Sequence, residues 1–274
     1  MLAKSIDKVG KTMKKDKGLR GFGRYLTFGM RSIWLEDYIL NLNDWFLKNN
    51  LGNKQLDSMI QWLKDSELIR VKEKTPTDLC LKLKEVYEVN KALFYQVIWI
   101  NLFYNSSVVK WYLQSLNWNS ILSSTELIRV LTEKEKMNIR TASSGINSLL
   151  NMLENVPYYQ EIRVGFIEKR GRIKYIRKIG SDDIHPIAIL YSLYRYAISK
   201  NKYNLTVSEF YREDNKAGGP YLIFGISKSS LENILRGLQE NMKDLIRVDI
   251  VADLDNIYLS DSIKDYTEIL DYMI

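Results

Sequence analysis

The feature that most narrows the folds open to this chain is a recurring order of elements. Three segments run from an amphipathic helical period into a short β-like stretch beginning Ile-Arg-Val, then through a turn into a second β-like stretch. The anchors are Ile69-Arg70-Val71, Ile162-Arg163-Val164 and Ile246-Arg247-Val248. In the first copy Leu56, Met59, Ile60 and Leu63 share one helical face behind Asn53 as a cap, and 68–72 and 78–83 read as strands joined by Lys74-Thr75-Pro76-Thr77. In the second, a helix over 139–154 buries Ile146, Leu149, Leu150 and Leu153, and strands around 162–168 and 172–178 turn at Arg170-Gly171. In the third, Ser227 caps a helix carrying Leu231, Ile234, Leu235 and Leu238, with strands around 245–251 and 256–260. Helix, tight turn, helix, hairpin is the winged helix-turn-helix order. The expected fold is mainly α with small β-hairpins: two to three winged helix-turn-helix-like units joined by a central helical, aromatic-rich core.

The boundaries follow from this order. Residues 1–24 form a basic tail of a kind that is often disordered, 25–84 the first unit, and 85–118 connecting helices. Residues 119–180 form the second unit, and 181–274 a C-terminal helical unit with the third motif. The connecting stretch holds Tyr87, Phe94, Tyr95, Trp99, Phe103, Tyr104, Trp111, Tyr112 and Trp118 at near-helical spacing, which suits a core better than base stacking.

Composition removes several chemistries. The chain has 274 residues, enough to bury its own core, yet only Cys80 and His185 of their kinds. These two cannot build a zinc site of three or four ligands or an internal disulfide. Gly-x-x-x-x-Gly-Lys-Ser/Thr is absent, so no P-loop is expected. The apolar run 97–104 is too short and too polar to span a bilayer, and no signal-peptide core is seen, so a cytoplasmic protein without membrane contact is expected.

The net charge of +7 is unevenly placed. Lys4, Lys8, Lys11, Lys14, Lys15, Lys17, Arg20 and Arg24 oppose only Asp7 and Asp16 in the tail, so the rest of the chain is nearly neutral and position must decide which part meets a polyanion. The second unit stands out. Its hairpin holds Lys169, Arg170, Arg172, Lys174, Arg177 and Lys178 against Glu168, and its helix offers Arg140, Thr141, Ser143, Ser144, Asn147 and Asn151. Cations on a wing for phosphates, beside short polar side chains for base edges, are what a duplex-binding winged helix needs. The third wing carries Asp249, Asp253, Asp255 and Asp261, which phosphate would repel, so that unit suits protein contact or core completion.

No catalytic motif emerges. Asp182-Asp183 and Glu213-Asp214 are the acidic pairs a metal-dependent nuclease would draw on, but neither has a nuclease spacing, and capping or solvation explains them as well. His185, ahead of Pro186, fits a helix start rather than a general base.

Several strings carry a family likeness: Thr27-Phe28-Gly29-Met30-Arg31 with Trp34-Leu35; Leu51-Gly52-Asn53-Lys54 with Met59-Ile60-x-Trp62-Leu63; Trp99-Ile100-Asn101-Leu102-x-Tyr104-Asn105-Ser106; and Gly219-Pro220 ahead of the last helix. With these the chain, over most of 22–274, resembles the bacterial family that includes the SspB component of Ssp-type DNA phosphorothioation systems. The resemblance implies a DNA-binding subunit of an anti-phage defence system, positioning or nicking duplex DNA so that sulfur can replace a non-bridging phosphate oxygen. The implied partners are double-stranded DNA and other subunits, including a sulfur-transfer protein; Mg²⁺ or Mn²⁺ would be needed only for nicking, and otherwise no cofactor. Where the family often has Gly-His-Glu, this chain has Arg24-Tyr25-Leu26, so no catalytic residue carries over. A non-catalytic assembly subunit and a winged-helix transcriptional regulator remain open beside this reading.

Overall fold

The computed structural model describes residues 19–251 and 254–273. The chain enters as a string of tight turns over residues 19–28, each closed by a backbone N–H reaching the carbonyl three residues back, as from Arg24 to Gly21 and from Phe28 to Tyr25. Helices α1 (Ser32–Asn41), α2 (Trp45–Lys48), α3 (Asn53–Asp65) and α4 (Asp78–Val89) follow, and then α5 (Lys91–Asn105) and α6 (Ser107–Ser115). Beyond them lie β1 (Ser120–Ser123), α7 (Ser124–Glu133), α8 (Ile139–Asn155), α9 (Tyr158–Ile162), β2 (Phe166–Arg170) and β3 (Ile173–Lys178). The rest comprises α10 (Pro186–Lys200), β4 (Asn204–Thr206), α11 (Val207–Tyr211), α12 (Pro220–Phe224), α13 (Lys228–Asn241), β5 (Ile246–Val251), β6 (Leu254–Leu259) and a closing 3-10 helix, Tyr266–Met273.

The chain is mostly helical with two small antiparallel sheets, as expected, but the unit that repeats differs from the expected one. In the first copy the hairpin shrinks to one bridge between Ile69 and Pro76, and residues 78–83 are the start of α4 rather than a strand. Thr77 caps that helix, its hydroxyl accepting from the Cys80 N–H, and Asp78 adds a carboxylate to the first turn. The alternation of Leu79, Leu81 and Leu83 suggests a strand; in the helix Leu79 and Leu83 turn inward with Cys80, Val86 and Tyr87 while Leu81 stays exposed. In the second copy Ile162 ends α9, Arg163 has φ +50°, and the strand starts only at Phe166. The third copy alone is β from its Ile-Arg-Val onward.

What recurs is a longer pattern, present twice. A strand leads through helices into a hairpin, and the strand orders match, β1-β3-β2 and β4-β6-β5. In both, the last residue of the first strand caps the next helix through a reciprocal box, Ser123 with Glu126 and Thr206 with Glu209. The two halves join on α5 and α10, whose residues Leu93 to Phe103 and Ile187 to Ala197 are buried throughout. A helix apolar on every side belongs in a core, and the aromatic stretch takes that place, the Trp99 indole N–H donating to the Ile223 carbonyl at 3.0 Å. Among the described residues no helix is long and apolar enough to cross a membrane.

A charged pair lies within this core. The Arg195 guanidinium, 6% exposed, bonds both Glu67 oxygens at 2.6 and 2.9 Å, donates to Asn101, and lies 4.5 Å from the ring centres of Tyr104 and Tyr266. Asn105 and Tyr266 supply two further donors to Glu67, at 2.7 and 2.9 Å. Burial works against the Glu67 carboxylate, but the charge of Arg195 and the hydrogen bonds from Arg195, Asn105 and Tyr266 together hold its pKa below the usual range.

The turns of residues 22–29 lie along α8. Gly29 is in contact with the backbone of Asn151 and Met152, where a Cβ would overlap both, and Phe22 packs over Gly145 in the same way. Gly29→Ala should therefore destabilise the fold by about 3 kcal/mol through overpacking, read as a lower urea midpoint. Glu67→Ala should cost about 3–5 kcal/mol at neutral pH by leaving Arg195 buried and unpaired. Because a depressed carboxylate stabilises above its unfolded pKa and loses that contribution as the pH falls, the gap between variant and parent should narrow in urea titrations toward about pH 4.

Candidate nucleic-acid interface

Helix α8 presents three faces. Ala142, Ile146, Leu149, Leu150 and Leu153 face the core. A second face meets the 22–29 segment: Gly23 packs on Thr141, Ser144 Oγ donates to the Leu26 carbonyl, and Asn151 Nδ2 donates to the Thr27 carbonyl at 2.8 Å. A narrow third face remains for solvent, with Arg140 and Asn147 exposed, Ser143 half-buried between them, and Glu154 at the far end. Thr141 keeps an exposed flank, but Ser144 and Asn151 are committed to backbone carbonyls of the covering segment.

The hairpin divides its cations just as unevenly. Register pairs Lys169 with Lys174 on the side facing α8, where Glu154 accepts from both, and Lys174 also reaches Asn151 Oδ1 at 2.8 Å. On the other side Arg170 forks onto Glu168 at 3.1 and 3.2 Å and stacks 4.8 Å from the Tyr175 ring centre. Exposed pairs of this kind gain little in water and can be exchanged for phosphate. Arg172 at the turn and Arg177 on the outer face are exposed and, like Arg140, make no salt bridge among the described residues, although Arg177 lies near enough to Glu168 to help lower that carboxylate's pKa.

Lys178 corrects the expectation of a phosphate contact at that position. Its side chain is buried, and its ammonium donates to the carbonyls of Leu113 at 2.9 Å, Leu116 at 2.5 Å and Tyr112 at 3.5 Å, 4.2 Å from the Trp118 ring centre. These carbonyls sit at the end of α6, where unsatisfied acceptors and the helix dipole both favour a cation. Lys216 serves the same end through the Gln114 carbonyl at 3.0 Å. Burial, with Lys216 nearby, pushes the Lys178 pKa well below the ordinary lysine range. The strand's period of two foretells the inward side chain, since Ile176 and Lys178 share the core-facing side of β3.

Arg24 and Tyr25, within the segment that covers α8, stand beside the same surface. Arg24 pairs with Asp65 at 2.6 Å and donates to the Asn105 carbonyl at 2.6 Å, while the Tyr25 hydroxyl lies between Asp65 and Ser106 Oγ, hydrogen-bonded to each, its ring stacked on Trp62 at 3.6 Å. Burial pushes the Asp65 pKa up to about 6 against the pull of Arg24 and Tyr25. Sequence reading overlooks Asp65 because a lone acid inside an amphipathic helix carries no signal of its own.

The acidic pairs do other work. Asp182 accepts from the Ser227 N–H at 2.7 Å, ahead of α13, and Asp214 pairs with Arg212 at 2.8 Å. His185 caps α10, its Nδ1 accepting from the Ile187 N–H at 3.2 Å. Among the described residues no three His, Cys, Asp or Glu side chains converge to hold a metal ion. The six tail lysines and Asp253 of the third wing lie outside the described residues. Lys178→Met, which keeps the apolar stem but strands the α6 carbonyls, should cost about 1–3 kcal/mol of stability, seen as a lower melting temperature in a thermal scan.

No family model matches the sequence, and no curated protein does. Solved structures match in shape. An SspB crystal structure superposes at a TM-score of 0.68 with 15% identity, covering 92% of this chain and 87% of that one. A magnesium ion-bound SspB crystal structure gives a TM-score of 0.65 at 13% identity over the same shares. Such identities speak for fold alone, and on that ground this chain has the fold of SspB over nearly its whole length.

Proposed function

We propose that this protein is a DNA-holding subunit of a phosphorothioation-type anti-phage system, presenting duplex DNA to a sulfur-transfer partner. The observation that carries the reading is the SspB fold, spanning 92% of the chain, on which Arg140, Arg172 and Arg177 are exposed and make no salt bridge among the described residues. We read the two three-stranded units as winged helices, because a strand, two principal helices and a hairpin with the first strand beside the third is the winged-helix order. In the unit holding β1 to β3, α8 is then the second helix of the pair and the β2-β3 hairpin the wing.

Duplex phosphates would be met first by the exposed guanidiniums of Arg140, Arg172 and Arg177, with Lys169 and Arg170 exchanging exposed acidic partners for phosphate. Ser143, Asn147 and the open flank of Thr141 add neutral hydrogen bonds. The chemistry proposed for the system, replacement of a non-bridging oxygen by sulfur, happens on the phosphate itself, so a subunit that fixes the backbone serves it directly.

Full-length protein in which Arg140, Arg172 and Arg177 are all changed to Gln should bind duplex DNA more weakly in fluorescence anisotropy. The slope of log affinity against log salt should shrink by about 0.9 for each phosphate no longer neutralised. Lys174→Gln, which removes an already paired cation, should change the slope far less. Unaltered affinity and slope in the triple variant, with its melting temperature preserved, would remove the assignment.

A further inference from the structure

The covering of α8 bears on how a duplex can be held, and the inference rests on the duplex-binding reading above. A recognition helix works by sinking into a major groove about 12 Å wide, which a bare helix of about 10–12 Å already fills. Here the chain from Phe22 to Gly29 runs beside α8 from Thr141 to Met152. A second backbone at closest approach adds about 5 Å to the width. The covering chain is no detachable lid. Phe22, Tyr25, Gly29 and Met30 are buried, Gly29 lies backbone against backbone with α8, and Arg24 is tied to Asp65.

The side chains agree with the dimensions. Ser144 and Asn151, suited to base edges by chemistry, spend their donors on the Leu26 and Thr27 carbonyls. The face left open holds Arg140, Ser143, Asn147 and Glu154, about one side chain per turn. The related helix α13 is not covered in this way, but Lys228 and Arg236 along it are balanced by Glu232 and Glu240, and its hairpin sets Arg247 alone against Asp249 and Asp255, so this unit offers a phosphate backbone no excess of positive charge. We infer that the protein grips duplex DNA from outside, by its phosphates, without laying a helix in the major groove, and therefore binds without regard to base sequence.

The test uses the full-length protein and duplexes of equal length and unrelated sequence, with dimethyl sulfate protection of guanine N7 and phosphate ethylation interference on the same complexes. Affinities within about tenfold of one another, unprotected guanines and interfering ethyl phosphates are expected. A spread beyond about tenfold, the cost of one misread base pair, or protected guanines, overturns the inference. Absence of binding to every duplex at low salt overturns the duplex-binding reading itself, and so is told apart. Ser144→Ala with Asn151→Ala should lower the melting temperature but leave affinity unchanged where the fold persists; weaker binding at an unchanged melting temperature would mean that these side chains reach the DNA.

Discussion

The close approach of the entering chain to α8 organises much of what surrounds it. Backbone lies against backbone at Gly29, a ring fills the space over Gly145, and two α8 side chains hold main-chain carbonyls of the covering segment. Such packing is possible only where a Cβ is missing, which is why two glycines far apart in sequence are needed together. Once the segment is fixed, Arg24 and Tyr25 are carried to Asp65 at the end of α3, so the first helices and the β1-β3-β2 unit are joined by polar as well as apolar contact. A surface that sequence alone assigns to a ligand is thereby partly used up in holding the protein together.

Much of the architecture was legible in the sequence, for physical reasons that can be named. The helices α8 and α13 announce themselves by apolar spacing, α13 also by its Ser227 cap, and the Arg170-Gly171 turn by a glycine that takes φ +61°. The repeated Ile-Arg-Val misleads because it encodes burial rather than conformation. Ile69, Ile162 and Ile246 are all buried, yet they lie in a lone bridge, at a helix end and in a strand. The better anchor was Ser123-x-x-Glu126 and Thr206-x-x-Glu209, a capping box that requires one backbone geometry, a strand passing into a helix, and finds it twice. Hydrogen-bonding demands specify shape more tightly than hydrophobicity does.

The candidate site was legible as a series of cations and illegible as a surface. Charge can be counted along a chain, but whether a charge is available depends on partners brought in from elsewhere. Glu154, on the helix that precedes the hairpin, takes up Lys169 and Lys174, and the open end of α6 takes up Lys178. Arg140 and Arg172 escape because, among the described residues, no acid is placed within reach, and Arg177 has near it only the Glu168 that Arg170 already holds, a three-dimensional fact without a local trace. The likeness to the SspB fold at 15% identity is likewise one of shape, which a count of residues along the chain does not display.

The two similar units therefore differ in what their common topology leaves exposed. The first covers its principal helix and retains exposed guanidiniums without salt bridges on and around the hairpin; the second leaves its principal helix uncovered, with Glu232 and Glu240 balancing Lys228 and Arg236 along it and more acid than base on its hairpin. Duplicated topology with unequal charge leaves simultaneous binding of one duplex by both units without electrostatic support, because phosphates drawn to the first would meet no excess of positive charge on the second. On the proposed reading, nucleic acid lies along one unit only. The other unit, where Glu232 and Asp249 are held by Lys228 and Arg247 and Asp255 accepts from the Ser208 N–H, uses its carboxylates within its own fold.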